Sequence, residues 1–101
     1  VQRKEGGLSK NDTGKPKWHL LRGMFGALDC VIRVREYGVH KYGDPDNWLL
    51  VEDGERRYVN AAMRHLARVI EGEHADPESG LPHLAHAACS VLFALALERP
   101  S

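Results

Sequence analysis

Two stretches decide the fold: Arg56–Glu71, RRYVNAAMRHLARVIE, and Pro82–Glu98, PHLAHAACSVLFALALE. In the first, Val59, Ala62, Met63, Leu66, Val69 and Ile70 recur on one face at helical spacing. In the second, Leu84, Ala88, Val91 and Leu95 form one stripe, while Phe93, Ala94 and Leu97 cover the other sides. A helix apolar nearly all round lies centrally in a bundle or under a partner. Pro82 suits its first turn. Upstream, Met24, Leu28, Val31 and Ile32 predict a helix over Met24–Tyr37, with Gly38 as a natural stop. The expected fold is all-α: a small bundle of three main helices joined by long structured loops. A centrally buried helix in so short a chain favours a homo-oligomer, a dimer or higher.

The flanks follow. Residues 1–14, VQRKEGGLSKNDTG, are polar and without periodicity, and read as a mobile arm; residues 15–101 form a single domain. Trp18, Leu20 and Leu21 are expected to anchor the chain to the body. Residues 38–55 carry Gly-Asp-Pro-Asp and Asp-Gly turn signals and read as a long loop with room for a short helical turn. GEHADPESG, residues 72–80, is the loop between the last two helices.

Composition bounds the function. The chain has 101 residues, 14 basic and 14 acidic, so no whole-protein basic field exists to grip nucleic acid, and none is expected as a partner. The balance hides an asymmetry: residues 1–22 hold six Lys/Arg against Glu5 and Asp12, and residues 69–101 hold five acids against Arg99. Cys30 and Cys89 cannot build a disulfide framework and read as reduced core residues. Ala87–Leu97, the longest run without charge or histidine, is too short to span a bilayer, and no signal-peptide pattern opens the sequence. A cytoplasmic protein without membrane association is expected.

Chemistry concentrates between residues 65 and 86, which hold four of the six histidines (His65, His74, His83, His86) and the acids Glu71, Glu73, Asp76 and Glu78. His83 and His86, three apart, share one helix face and can meet one metal ion. His65 lies about 100° from the centre of its helix's apolar stripe, placed to face them across a groove. Buried imidazoles need partners or ligands. Glu73, Asp76 and Glu78 on the connecting loop can close the site. Mixed imidazole and carboxylate donors suit Mn or another transition ion better than Mg or Ca. His74, among solvated acids, reads as structural.

A second group is Lys41-Tyr42-Gly43 with Asn47-Trp48: a phosphate charge, two stacking faces and an amide able to read a base edge. The alternative is a loop pinned by two aromatics. Arg64 lies off the apolar face and can reach a phosphate or a surface acid. No serine has a triad setting, and no Gly-rich phosphate loop or CxxC pair is present.

Several segments together resemble a phage-associated family of dATP/dGTP diphosphohydrolase N-terminal domains. They are Gly14-Lys15-Pro16, Gly38-x-x-Lys41-Tyr42-Gly43, Asn47-Trp48, Ala62-x-Arg64-His65-Leu66, Gly72-Glu73-x-x-Asp76-x-Glu78-x-Gly80 and His83-Leu84-x-His86-Ala87, with Phe93 and Leu95. The resemblance covers about residues 14–97 and extends to the all-α nucleoside triphosphate pyrophosphohydrolases, of which MazG and the dimeric dUTPases are branches. It implies a divalent-metal hydrolase acting at the α–β phosphoanhydride of a purine deoxynucleoside triphosphate. The relatives' ExxE and ExxD pairs are not kept: His83-x-x-His86 stands for one, and His65 with Ala61 and Ala62 for the other.

Two readings result. In the enzyme, His65, His83, His86, Glu73 and Asp76 hold metal, Glu73 and Asp76 act in catalysis, and Lys15, Lys41, Tyr42, Asn47, Trp48 and Arg64 hold the nucleotide. In the alternative, the same groove sequesters a nucleotide or a nucleotide-derived defence signal without hydrolysing it.

Overall fold

The computed structural model describes residues 10–98. Among them stand three α-helices, α1 (Phe25–Tyr42), α2 (Gly54–Ile70) and α3 (His83–Glu98), and two single 3-10 turns at Trp18–Leu21 and Asn47–Leu50. The all-α expectation holds. Nine of the fourteen residues assigned to the N-terminal arm fall outside the described residues, and residues 10–14 are exposed.

The first helix is longer than its sequence predicts. It passes through Gly38, because one glycine in a helix interior costs only about 1 kcal/mol, and stops five residues later. Gly43 there adopts φ 78° and its N–H closes on the Val39 carbonyl at 2.7 Å. A left-handed residue at that point favours glycine. Lys41 and Tyr42 therefore sit on the last helical turn, not in a loop, and the linking segment shrinks to 43–53. The Asn47–Leu50 turn supplies the short helical piece expected within it.

α2 lies along α3, and α1 meets α3 over a shorter stretch. The core is built from small side chains: Val34, Ala85 and Cys89 with Cys30, Val31, Leu81 and Phe93 on the α1 side, and Ala62, Ala87 and Ala94 on the α2 side. Small residues let the α2 and α3 backbones approach closely. At Gly54, a Cβ would stand 2.9 Å from Leu97 Cδ1. Both cysteines are free thiols.

Three expectations are corrected here. α3 is flanked by helices on two sides but is not central: Leu84, Val91, Leu92 and Leu95 are each about half exposed. The large apolar stripe of α2 does not face the core. Ala62 is buried, and Tyr58, His65 and Val69 on the same side are half-buried. Val59, Met63, Leu66 and Ile70, one residue further round, are exposed. Trp18 and Leu20 do not anchor the chain, being 73% and 68% exposed. No helix among the described residues is long and apolar enough to cross a membrane.

Candidate functional site

A cavity of about 900 Å³ opens between α1, the 43–53 segment, α2 and α3. Each element contributes by its period. α2 turns Arg57, Ala61 and Arg64 into it, the flank one residue before the Tyr58–Ala62–His65–Val69 seam. α3 supplies His86, Ser90 and Phe93, and the end of α1 supplies Tyr37, Lys41 and Tyr42.

One wall is a cross-bonded set of imidazoles and carboxylates. His65 Nδ1 lies 2.9 Å from His83 Nδ1, and His83 Nε2 lies 2.8 Å from Glu73 Oε1. His83 is only 3% exposed, so both ring nitrogens need partners, and both have them. The His65 and His86 rings stack, centroids 4.7 Å apart and planes 13° from parallel. His86 Nε2 meets Ser79 Oγ at 2.7 Å. The Ser79 hydroxyl also accepts from the Leu81 N–H at 3.1 Å. The loop bearing these acids is tied to itself. The Ser79 N–H donates to Asp76 Oδ2 at 2.9 Å, the Asp76 N–H to the Leu81 carbonyl at 2.8 Å, and the His83 N–H to the His74 carbonyl at 2.9 Å. Asp76 is thus held in place rather than carried on a free loop.

Two of the imidazoles are disfavoured in their charged form. Burial lowers the His65 pKa below its ordinary value, and the neighbouring His86 and His83 lower it further. Burial lowers His86 as well, against an opposing pull from Asp76. Burial pushes the Asp76 carboxyl up, but hydrogen bonds from the Ser79 N–H and hydroxyl outweigh it and hold the group below its usual range. The His65 and His86 rings are thus biased toward their neutral, lone-pair-bearing form beside a carboxylate biased toward its charged one. One donor atom from each of His65, Asp76 and His83 lies within 4.8 Å of the other two. That mixed donor set fits a transition ion, for which imidazole and carboxylate are suitable ligands.

The rest of the lining is largely cationic and aromatic. Arg35, Lys41, Arg56, Arg57 and Arg64 belong to it. Lys41 Nζ pairs with Glu78 Oε2 at 2.6 Å, and the Tyr37 hydroxyl donates to the same oxygen. The Lys41 ammonium is the main cause that holds the Glu78 carboxyl low. Trp48 stacks on Phe93, centroids 4.6 Å apart and planes 15° from parallel, and Tyr58 bonds the Trp48 carbonyl at 2.9 Å. One face of Trp48 is thus already used by the fold, as the pinned-loop alternative expects.

Of the residues singled out in the sequence, His65, Asp76, His86, Lys41, Tyr42, Asn47, Trp48 and Arg64 share this cavity. His83 and Glu73 lie behind it, joined to His65. Lys15 does not line it. Tyr37, Arg35, Arg57 and Ser79 were missed. Arg57 and Arg64 share a helix face with Ala61 between them, a pattern that the sequence carries. Nothing in the sequence pairs Tyr37 with Glu78, 41 positions away.

The chain matches the family model described as dATP/dGTP diphosphohydrolase, N-terminal, over residues 5–100. It is 36% identical over 86 residues to a dATP/dGTP diphosphohydrolase of Salmonella phage PMBT28, an alignment covering 83% of this chain and 27% of that protein. The chain thus spans about a quarter of the length of the curated relative it matches. No solved structure matches it significantly. The chain belongs to the dATP/dGTP diphosphohydrolase N-terminal family.

Proposed function

We propose that this family member is the nucleotide-hydrolysing region of a metal-dependent deoxynucleoside triphosphate diphosphohydrolase, acting on purine nucleotides in the cytoplasm. The observation that carries this reading is the meeting, in one cavity, of an imidazole–carboxylate wall with five cationic side chains and exposed aromatic surface. The phage relative's name supports the substrate class.

In this reading Arg35, Arg57, Arg64 and Lys41 take the phosphate oxygens, since guanidinium forks match phosphate geometry and lysine adds a point charge. Lys41 leaves Glu78 to do so. Tyr42, which is 62% exposed, and the rim formed by Asn47 and Trp48 receive the base. His65, His83 and Asp76 hold a divalent ion, Mn or another transition ion, which when bound polarises the phosphoanhydride and lowers the pKa of water. Asp76, fixed by Ser79, keeps its negative charge for that task.

A second copy of the chain completes the reading. Val59, Met63, Leu66 and Ile70 of α2 and Leu84, Val91 and Leu95 of α3 are exposed on the side of the α2–α3 seam away from the cavity. Contiguous apolar surface of this kind marks an interaction face. Two such helix pairs packed face to face make a four-helix bundle.

The test is incubation with each dNTP and NTP in Mn²⁺, Co²⁺, Mg²⁺ or chelator, with chromatography of the products. The expected outcome is monophosphate and pyrophosphate from dATP or dGTP, dependent on metal, with KM raised about tenfold or more in Arg64→Ala by loss of a charged hydrogen bond. Nucleotides that bind and return intact under every metal would establish the sequestering alternative instead.

A further inference from the structure

We infer that Glu73 is neither a metal ligand nor a catalytic residue but a positioning residue, which fixes the tautomer of His83 so that its Nδ1 joins His65 and Asp76 in a three-donor metal site. This inference rests on the metal reading above and refines its ligand set.

An ionised carboxylate only accepts hydrogen bonds. With Glu73 Oε1 at 2.8 Å, His83 Nε2 therefore carries the proton and donates it. In the neutral ring, Nδ1 is then left with its lone pair. That nitrogen stands 2.9 Å from His65 Nδ1. Two nitrogens bound to one ion at about 2.1 Å each stand about 3.0 Å apart at octahedral angles and about 3.4 Å apart at tetrahedral ones, so the observed separation suits a shared ion after at most a few tenths of an ångström of movement. Without an ion, a proton on His65 Nδ1 fills the same gap. Asp76 completes the set, because its carboxylate is the third group within 4.8 Å.

Position separates the roles. His65 and Asp76 line the cavity, where a bound ion meets substrate. Glu73 does not; it lies on the far side of the buried His83 ring and faces a smaller pocket with Val69 and Leu84. A carboxylate there can reach an ion only through the imidazole. Ligating histidines commonly donate their second N–H to a carboxylate that orients the ring and raises its basicity. His86 is not among the three residues whose donor atoms converge, and its Nε2 meets the Ser79 hydroxyl at 2.7 Å. The five sequence candidates thus divide into three ligands, one carboxylate behind them, and one imidazole stacked beside them.

The test uses the ¹⁵N-labelled chain, wild type, Glu73→Ala and Glu73→Gln. Long-range ¹H–¹⁵N spectra of the metal-free proteins read the histidine tautomers, and Co²⁺ titration followed by visible absorbance reads affinity. In the wild type, His83 is expected as the Nε2–H tautomer. In Glu73→Ala that preference is lost and Co²⁺ affinity falls about ten- to a hundredfold. Glu73→Gln keeps an acceptor oxygen, so it retains the tautomer and most of the affinity. Because the Glu73 side chain is 43% exposed, neither change should unfold the chain, and circular dichroism checks this. Unchanged tautomer and affinity in Glu73→Ala would overturn the inference. A loss in Glu73→Gln equal to that in Glu73→Ala would also overturn it, by making Glu73 a ligand. Failure of the wild type to bind Co²⁺ while His83 shows the expected tautomer would overturn the metal reading alone.

Discussion

The two flanks of α2 face opposite fates. On one side of the seam, Arg57, Ala61 and Arg64 line a cavity with imidazoles and carboxylates. On the other, Val59, Met63, Leu66 and Ile70 lie open, Ile70 at 86% exposure. The difference teaches that the strongest apolar stripe of a helix need not be the one its own chain buries. The α2 side of α3 presents His83, Ala87 and Ala94, which are small or polar. Turning the Val59–Ile70 stripe onto it would remove His65 from His83 and leave a buried imidazole nitrogen unpaired, at a cost of about 1–3 kcal/mol. The seam through Ala62 and His65 packs small against small and satisfies that nitrogen. The apolar flank is left exposed.

Substitutions on the two flanks should therefore fail differently. The largest effect belongs to the cavity side. His65→Ala removes a donor and the partner of His83, and metal-dependent turnover should fall more than about a hundredfold, beyond the usual loss for a residue outside the ligand shell. The folded state, followed by circular dichroism, should persist. A variant with near-normal turnover would detach the imidazole wall from the chemistry. On the apolar flank, Met63→Glu with Ile70→Glu should shift the chain from dimer to monomer in light scattering, because charge cannot be buried between copies. A wild-type chain that is already monomeric at high concentration would show that no second copy covers this flank.

The seam between the flanks can be tested by itself. Gly54→Val places carbon where Leu97 Cδ1 already stands at 2.9 Å. Overpacking of this kind costs about 1–3 kcal/mol, enough to lower the Tm by several degrees in a chain this size. Thermal melts measure it, and an unchanged Tm would show that the helix ends separate freely.

The smallest effect is pH dependence, read on protein freed of metal with chelator. The pKa values of His65 and His86 are lowered in the folded chain from 6.5. Below about pH 6.5 the unfolded chain takes up protons that the folded chain refuses, so stability falls as pH drops from there, and is flat above it. Asp76, lowered from 3.8, adds a second loss as pH falls through its folded-state value. Melting curves between about pH 5 and 8 should show the first decline, flattened in His65→Asn with His86→Asn. Persistence of the slope in that double variant would place its cause elsewhere.

Much of the site was legible because its donors are close in the chain: His65, Glu73, Asp76, His83 and His86 fall within 22 residues. Their division of labour was not. Spacing puts His83 and His86 on neighbouring positions, but burial makes one a ring with both nitrogens engaged and leaves the other stacked at the cavity edge. Lys15 was misplaced because an exposed segment carries no periodicity to fix its position. Gly38 misled because a helical glycine and a terminating glycine look alike in sequence; of these two, it is Gly43 that takes the left-handed conformation.

By itself, the sequence determined three helices, their order, and a dense group of imidazoles and carboxylates at one junction. Apolar period and proline position act over a few residues and specify helices before any tertiary contact forms. The tertiary structure alone decided the rotation of α2 about its axis, the union of Glu73 with His83, and the pairing of Tyr37 and Lys41 with Glu78. Each of these depends on which faces meet. That choice is made by the packing of small residues and the need to satisfy every buried polar atom, neither of which a one-dimensional pattern records.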